Sequence, residues 1–268
     1  MVEEFCCLLS VYAGDDPAHL HAALNSIFEQ TLKPNDVVLV IDGPITVDLE
    51  QVIAKFTQCV CLRLPSNVGR GPALRIAIES SHYEYIALMD ADDLARKDRF
   101  YLQAKYMSEF PDCVLLGGCI SEFHAQPHDS IAIRKVPLTD SDIRHFAFWR
   151  NPFNQMTVMF KRSAVLNAGN YRDARNFEDY DLFLRMLSEG GRVANLEDVL
   201  VDARVGNDMI GRRIGVEYAK REMKFLWRLY SEGHIGFARL IAMLSTRIPF
   251  RLIPKQLLTV FYERVLRK

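Results

Sequence analysis

The chain has 268 residues, of which 49% are hydrophobic and 25% charged, with a formal net charge of −1. This composition is typical of a folded globular protein and argues against intrinsic disorder. The length allows one large domain, or one domain with an appendage, and no apolar run reaches the length of a membrane-spanning helix.

The cysteines give no sign of a disulfide framework or a zinc site. Six of them occur, at positions 6, 7, 59, 61, 113 and 119, and no pair has Cys-x-x-Cys spacing. Most lie in apolar, strand-like runs, which predicts buried, reduced thiols in a cytosolic protein. The acidic first five residues also lack the basic flank of a signal peptide.

Charge is unevenly distributed along the chain. From Met209 to the end there are 13 Lys and Arg residues and 4 Asp and Glu, a balance of +9, whereas the preceding residues carry −10. A basic tail on an acidic body predicts contact with an anionic partner. The aromatic residues and leucines between the basic residues favour a membrane surface over nucleic acid, and no nucleic-acid partner is expected.

The first part of the chain alternates strand and helix patterns. Apolar runs predict strands at residues 5–12, 37–41 and 60–64, and apolar residues at helical spacing predict helices at 19–30 and near 49–56. This β-α-β-α-β order favours a central, mostly parallel sheet flanked by helices.

Two segments between these elements carry candidate binding residues. Asp42 follows the second strand, where it either accepts hydrogen bonds from a base or ribose or simply forms an Asp-Gly-Pro turn. Residues 67–75 lead into a helix, and Gly69 would let the backbone approach an anion while Arg70 and Arg75 add positive charge. Arg75 is equally well explained as a solvated charge on the helix.

A short apolar strand at residues 85–89 ends in three carboxylates, those of Asp90, Asp92 and Asp93. In open α/β sheets, ligands lie beyond the carboxyl ends of the strands. Carboxylate oxygens suit Mg²⁺ or Mn²⁺, which share their coordination with substrate phosphates. The pattern Asp90-Ala91-Asp92 therefore predicts a clamp for a metal-bound nucleotide diphosphate. The alternative is a polar turn in which Asp92 or Asp93 caps the next helix.

Further elements follow in the rest of the body. Helices are predicted at 98–110 and from 177, and strands at 113–120, up to 160, and at 199–201, with residues 121–150 mixed. Glu178, Asp179 and Asp181 stand at the start of the second of these helices. There they either complement the helix dipole or place a general base over a cleft.

The last part of the chain reads as helices. Arg212 and Arg213 occupy a glycine-flanked loop that either closes over a diphosphate or begins the basic tail. Helices are expected from Ile214 onward, with an interruption by the prolines of residues 247–254 and a final amphipathic helix at 257–266.

With these residues assembled, the sequence resembles family 2 glycosyltransferases of the GT-A fold. The resemblance covers roughly residues 5–205 and rests on five motifs in order: Ser10-Val11-Tyr12, Asp42-Gly43, Asn67-Val68-Gly69, Asp90-Ala91-Asp92-Asp93 and Glu178-Asp179-Tyr180-Asp181-Leu182. Residues 40–44, residues 151–152 with 156–160, and residues 204–206 are similar to a bacterial branch that builds O-antigen and exopolysaccharide repeats, amylovoran glycosyltransferases included. Several members of that branch are β-1,3-galactosyltransferases that use UDP-galactose.

The resemblance implies an α/β GT-A fold, with a Rossmann-like central sheet, and a nucleotide-sugar site. Val11, Tyr12 and Asp42 would hold the uridine. The segment containing Asn67, Gly69 and Arg75 would lie along the nucleotide. The second strand ends in Ile-Asp-Gly-Pro, where Asp-Asp-Gly-Ser is more usual, which affects the expected uracil contacts.

The resemblance also assigns the chemistry. Asp90 would contact ribose or the metal shell, and Asp92 would bind Mn²⁺ or Mg²⁺ bridging the diphosphate. Asp179 would be the base that deprotonates the acceptor hydroxyl in an inverting transfer, with Glu178 beside it. The loop arginines, Arg212 and Arg213, would steady the departing UDP. Gln155 stands where this branch is expected to carry His.

The implied partners are a UDP-sugar donor and a sugar acceptor linked to undecaprenyl diphosphate. Residues 1–208 would form the glycosyltransferase domain, and residues 209–268 a helical, basic, amphipathic extension. Through this extension the enzyme would lie on the cytoplasmic, inner face of the bacterial plasma membrane. The donor sugar is expected to be galactose, with GlcNAc, Glc or GalNAc as alternatives.

Two alternatives come from other functional classes. A phosphatase of the haloacid dehalogenase type also uses Asp-x-Asp after a strand, but there the pair follows the first strand, whereas here it follows the fourth. A non-catalytic nucleotide-sugar-binding module at the membrane surface is the other alternative. The presence of Glu178 and Asp179 argues against this second alternative.

Overall fold

The structure is a computed structural model that describes residue 2 and residues 4–127, 129–206 and 214–253. The chain divides into two compact units: Met1–Asp173 with Glu178–Arg204, and Ala174–Phe177 with Val205–Lys268. The boundary predicted between residues 208 and 209 lies outside the described residues, as do Arg212, Arg213 and the helix predicted at 257–266.

The first half of the first unit confirms the predicted alternation of strands and helices. In chain order its elements are β1 (Phe5–Val11), α1 (Pro17–Phe28), β2 (Asp36–Ile41), α2 (Val47–Ile53), β3 (Cys59–Arg63), α3 (Arg70–Ser80) and β4 (Tyr85–Met89). The four strands are mutually parallel, in the order β3-β2-β1-β4.

The second half contains more elements than the sequence pattern indicated. They are β5 (Leu94–Ala95), α4 (Arg99–Glu109), β6 (Cys113–Phe123), β7 (Ser130–Arg134), α5 (Asp140–Phe146), a 3₁₀ turn (Gln155–Thr157), β8 (Met159–Lys161), α6 (Arg162–Asn167), α7 (Glu178–Glu189) and β9 (Arg192–Arg204). The segment predicted as mixed therefore holds a strand and a helix, and the last predicted strand is much longer than expected.

The strands of this unit form one mixed sheet. Its order is β3-β2-β1-β4-β8-β6-β9-β5, and β7 pairs with β6 outside this path. β8 lies antiparallel between β4 and β6, whereas β6 and β9 are parallel to each other. The predicted α/β architecture, with a mostly parallel sheet and flanking helices, is confirmed.

The core lies between the sheet and its helices. Phe5 and Leu9 of β1 pack in one apolar cluster with Leu20 and Leu24 of α1, and the Phe5 ring meets Phe100 of α4 edge-on at 5.4 Å. All six cysteines are free, and four of them are buried. The expectation of burial is wrong for Cys61, which lies on β3, a strand at the edge of the sheet.

Strand register brings distant parts of the sequence to one edge of the sheet. Val11 is paired with Ile41, Ile41 with Arg63, and Leu9 with Met89. The residues that follow β1, β2 and β4 therefore leave the sheet on the same side. This is the edge at which ligands of α/β sheets bind.

The second unit is built from α8 (Val216–Ser231) and α9 (Phe237–Leu252). The expected interruption at Pro249 is wrong, because this proline lies inside α9. Arg247 and Arg251, on either side of it, both form ion pairs with the buried Glu222 of α8, at 2.5 and 2.7 Å, and these contacts hold the last turn in place. Among the described residues no helix combines the length and apolarity needed to cross a bilayer.

A buried ion pair in α7 provides a test of the fold. The Asp181 and Arg185 side chains are almost fully buried and lie 2.7 Å apart, and Arg185 also donates to the Asn170 carbonyl. Removing one member of such a pair leaves a buried charge, so Asp181→Ala should lower the free energy of unfolding by about 3–5 kcal/mol. Urea unfolding followed by circular dichroism measures this loss.

The control is Glu79→Ala, which breaks the exposed Arg75–Glu79 pair of α3, also formed between residues four apart. This variant should lower the free energy of unfolding by less than about 1 kcal/mol, because exposed ion pairs contribute little to stability. Equal losses in the two variants would contradict the structural role assigned to Asp181.

Candidate active site

The acidic turn between β4 and β5 is the centre of the site. Carboxylate oxygens of Asp90, Asp92 and Asp93 all lie within 4.8 Å of one another. Asp92 is exposed, whereas Asp93 is buried and accepts the backbone N–H of Arg204 at 2.7 Å. Asp90 lies between these extremes and forms an ion pair with Arg70.

The alternative interpretation of the sequence, in which this turn caps the next helix, does not hold. The strand β5 follows it directly, and α4 begins only at Arg99, with Asp98 in the capping position. The capping hypothesis for Asp92 and Asp93 is therefore wrong, and their close approach to Asp90 needs another explanation.

The arrangement fits a divalent cation. Burial raises the pKa of Asp92 and of Asp93, and the charge of Asp90 raises both further. Like charges held this close repel one another, and hard oxygen ligands are those that Mg²⁺ and Mn²⁺ prefer. The three carboxylates thus form a cluster that could hold a divalent cation, and Asp92 is the one most open to solvent.

Arg99 supports the turn from behind. Its guanidinium is fully buried and donates to the Leu88 carbonyl at 2.6 Å and to the Met89 sulfur at 3.0 Å, at the end of β4. Burial lowers the pKa of Arg99 to about 10, so it remains charged at neutral pH. This buried cation partly offsets the acidic turn, and the sequence pattern gave no sign of its role.

Asp42 forms hydrogen bonds with the loop that precedes α3. One oxygen of its carboxylate accepts the N–H of Val68 at 2.7 Å, the other accepts that of Gly69 at 3.0 Å, and the Asn67 amide donates to its carbonyl. Asp42 is only 4% exposed. Its direct contact with a uridine stays a prediction, but its part in shaping the loop is visible.

Two glycines permit this close approach. Gly43 has φ +83°, and a Cβ there would lie 2.5 Å from the backbone nitrogen of Asn67. Gly69 has φ +91° just before α3. Both positions favour glycine, because other residues are strained in this region.

At the end of β1, Val11 is buried whereas the Tyr12 ring is half exposed at the same edge of the sheet.

The two arginines of α3 differ in position. Arg70, the first residue of the helix, pairs with Asp90, whereas Arg75 pairs with Glu79 on the exposed side of the same helix at 2.9 Å. The structure therefore brings Arg70, and not Arg75, to the acidic turn. A nucleotide contact by Arg75 stays a prediction.

The N-terminus of α7 lies beside the start of α3. A Cβ on Gly71 would lie 3.3 Å from the Glu178 Cβ. In the Asp179 carboxylate, Oδ2 accepts from the Asn151 amide and Oδ1 from the Tyr180 N–H, each at 2.7 Å. Of the three acids considered for this helix, Asp181 belongs to a buried ion pair, and the catalytic roles of Glu178 and Asp179 stay predictions.

Behind Asp179 lies a buried tyrosine. The Gln155 amide donates to the Tyr171 hydroxyl at 3.4 Å, and both side chains are buried. Burial raises the pKa of Tyr171 well above its usual range, and the Asp179 charge raises it further. Gln155 therefore reaches the vicinity of Asp179 through Tyr171. Gln155 stood out in the sequence, and Asn151 lay in a segment that carries the resemblance, but the sequence gave no role to Asn151 or Tyr171.

Comparisons with known proteins agree with this geometry. Residues 9–170 match the family model described as glycosyl transferase family 2, which spans more than half of the chain. The chain belongs to glycosyl transferase family 2. The resemblance inferred from the five sequence motifs is thereby confirmed, and the chain is a glycosyltransferase.

Two relatives are similar over nearly their whole length. The amylovoran biosynthesis glycosyltransferase AmsE of Erwinia amylovora is 36% identical over 97% of this chain and 98% of its own. The UDP-Gal:alpha-D-GlcNAc-diphosphoundecaprenol beta-1,3-galactosyltransferase of Escherichia coli is 31% identical over 99% and 97%. The chain is therefore related to exopolysaccharide and lipid-linked galactosyltransferases.

A solved structure supports the fold. The mannosyltransferase PcManGT from Pyrobaculum calidifontis, in complex with GDP-Man and Mn²⁺, superposes with a TM-score of 0.66 at 16% identity, over 91% of this chain and 69% of that one. At this level of identity the likeness shows the GT-A fold alone.

Asp15 is a site residue that the sequence analysis missed, and it gives a test by pH. Its carboxylate accepts the N–H of Tyr12 at 2.9 Å. Burial raises the pKa of Asp15 to about 6. The charges of Asp92 and Asp90 also raise this pKa, whereas the hydrogen bond from Tyr12 lowers it. Because the unfolded state ionises first, stability should fall as pH rises from about 4 to about 6.

Asp15→Asn removes this titration and keeps an acceptor oxygen. The variant should be more stable than the wild type by about 1–2 kcal/mol at pH 7, and equal to it near pH 3.5. Chemical denaturation in EDTA measures the difference. Asp16→Asn is the control with opposite sign, since the His19 N–H lowers the pKa of Asp16. A gain for Asp15→Asn that is the same at both pH values would contradict the assignment.

Proposed function

We propose that the protein transfers galactose from UDP-galactose, with inversion and in a metal-dependent reaction, to a lipid-linked oligosaccharide through a β-1,3 linkage. The product would be a repeat unit of O-antigen, capsule or exopolysaccharide. The choice of donor and linkage is supported by the related galactosyltransferase of Escherichia coli, whose name states both. Another UDP-sugar (GlcNAc, Glc or GalNAc) is the alternative donor.

One observation carries the proposal. Arg70 pairs with Asp90 of the acidic turn at the end of β4, and the charges of Glu178 and Asp179 at the start of α7 also act on it. A cation-binding group and an oriented base are thus neighbours at the ligand-binding edge of the sheet. An inverting transfer needs these two groups.

Asp92 and Asp90 would hold the Mn²⁺ or Mg²⁺, which when bound offsets the negative charge that grows on the departing diphosphate. The protein's own residues then have defined tasks. Asp179 takes the proton of the acceptor hydroxyl as the oxygen bonds to the anomeric carbon and the bond from that carbon to UDP breaks. Asn151 and the Tyr180 N–H fix the carboxylate for this step.

The nucleotide would lie along the ends of β1 and β2. Tyr12 is exposed there and can cover a base, while Asp42 holds the Asn67–Gly69 loop in position through two N–H groups. The backbone at Gly69 then offers close approach to an anion at the start of α3. Arg212 and Arg213 remain candidates for steadying UDP.

Two substitutions separate the roles of the acids. Asp92→Ala and Asp179→Asn should each lower transfer at least about 100-fold, because one removes the cation ligand and the other the base. Only Asp92→Ala should also weaken UDP binding, since Asp179 acts on the acceptor. Product formation from UDP-galactose with Mn²⁺, and calorimetry with UDP, give the two readouts.

Thermal unfolding of both variants controls for misfolding. Near-normal turnover by Asp179→Asn would refute the base assignment. Transfer that persists in Asp92→Ala and in EDTA would refute the metal dependence. A screen of UDP-sugars in the same assay distinguishes galactose from the alternative donors.

The second unit supports the proposed membrane contact. Val216, Met223 and Trp227 lie exposed on one face of α8, together with Lys220 and Lys224. The aromatic surface continues onto α9, because the Tyr230 ring lies 5.7 Å from that of Trp227 and 5.9 Å from that of Phe237. Apolar side chains flanked by lysines are typical of a helix that lies on an anionic bilayer.

Not all of the basic residues are available for such contact. Arg247 and Arg251 are engaged by Glu222 inside the unit. The surface formed by Val216, Lys220, Met223, Lys224, Trp227 and Phe237, here called the aromatic patch, would therefore provide the main contact among the described residues. It would hold the enzyme where a lipid-linked acceptor is found, on the inner face of the plasma membrane.

Trp227 gives a direct probe of this contact. The protein has two tryptophans, so Trp149→Phe leaves Trp227, 61% exposed, as the sole source of tryptophan fluorescence. Its fluorescence should shift to shorter wavelength on addition of phosphatidylglycerol vesicles and not of phosphatidylcholine vesicles. In sedimentation, Trp227→Ala should lower vesicle binding at least about threefold relative to Trp149→Phe. An unchanged spectrum with anionic vesicles would refute the aromatic patch as the contact.

A further inference from the structure

Arg70 interacts with both acidic groups of the site. Its guanidinium pairs with Asp90, and the charges of Glu178 and Asp179 also act on it. The side chain is 37% exposed, yet its Nε is covered and has no hydrogen-bond partner among the described residues. Arg70 is thus held by charge and still has an unused donor in the site.

Arg70 stays positively charged at neutral pH. Burial works to lower the pKa of Arg70, but the charges of Asp90, Glu178 and Asp179 outweigh it and raise the pKa above its usual range. The guanidinium is therefore a fixed positive charge immediately beside the acidic turn.

This position creates a conflict with cation binding. The Asp90 oxygen that Arg70 contacts cannot serve a guanidinium and a divalent cation equally well. A fixed positive charge also repels a cation at this distance, and such repulsion is strong in a partly buried site. The free protein is therefore poorly prepared to bind a cation by itself.

A nucleoside diphosphate removes the conflict. Its phosphates bring negative charges that can pair with a guanidinium, which forms forked hydrogen bonds with phosphate oxygens. The uncommitted Nε of Arg70 offers a second donor for such a fork. With the guanidinium engaged by phosphate, Asp90 is released.

We propose that Arg70 occupies Asp90 in the free protein and passes to the diphosphate when the donor arrives, so that the cation and the nucleotide bind together. Arg70 is then a positioning residue that makes the cation site dependent on the nucleotide. The inference rests on the proposed function, since it takes Asp90 and Asp92 as the cation ligands.

The test measures cation binding rather than transfer. Free Mn²⁺ is counted by room-temperature electron paramagnetic resonance, with and without UDP, for the wild type, Arg70→Met, Arg70→Lys and Lys105→Met. Arg70→Met removes the charge and keeps the bulk. Lys105→Met removes one positive charge from the exposed side of α4 and is the matched control. Thermal unfolding shows which variants are folded.

In the wild type, Mn²⁺ alone should bind weakly, and UDP should tighten its binding at least about tenfold. Arg70→Met should bind Mn²⁺ alone about tenfold more tightly than the wild type, because a neighbouring positive charge is gone. The effect of UDP on Mn²⁺ affinity should shrink correspondingly. Arg70→Lys, which keeps the charge, and Lys105→Met should both bind Mn²⁺ alone as weakly as the wild type.

Two failures can be told apart. If the wild type binds Mn²⁺ with UDP but Arg70→Met leaves the affinity for Mn²⁺ alone unchanged, the role of Arg70 is refuted and the metal site stands. The same holds if Lys105→Met tightens binding equally. If no variant binds Mn²⁺ even with UDP, the metal-dependent function is refuted, and the inference falls with it.

Discussion

The acidic turn after β4 is the constraint on which the site depends. Three carboxylates within a few ångströms repel one another, and the fold must supply positive charge to hold them together. It does so from two directions, with the buried Arg99 beneath the turn and Arg70 in front of it. The backbone N–H of Arg204 adds a hydrogen bond to Asp93. Each of these groups comes from a different part of the chain.

Strand register converts this local feature into a site. Because β1, β2 and β4 are parallel and in register, the residues after them meet at one edge. The strand β8 runs antiparallel to β4. The residues before β8, and not those after it, therefore approach the same edge. The segment that precedes β8 therefore delivers Asn151 to Asp179. A mixed sheet thus brings residues from both halves of this unit to the same edge.

The elements foreseen from the sequence are those whose signal is local. The strands and helices of the first half have clear apolar periods, and so does α7. The elements β5 and α6 are too short for periodicity to show. The strand β7 is mostly exposed, so it has no buried apolar pattern. Two ion pairs could nevertheless have been predicted from the sequence. Arg75 and Glu79 stand four apart on a helix, as do Asp181 and Arg185, and such spacing favours pairing. The pairing of Arg70 with Asp90 required the tertiary fold.

The second unit shows why net charge alone is a poor guide to a binding surface. The balance of +9 from Met209 onward counts every basic residue equally. In the structure, Glu222 is fully buried and neutralises arginines that face it, so their charge stabilises the helix pair. Lys220, on the same face as Trp227, pairs instead with the exposed Glu217 at 2.9 Å. In the proposed membrane contact, the neighbours of a basic residue therefore matter more than the net charge. Exposed apolar side chains on the same face would leave water while the lysines meet anionic headgroups.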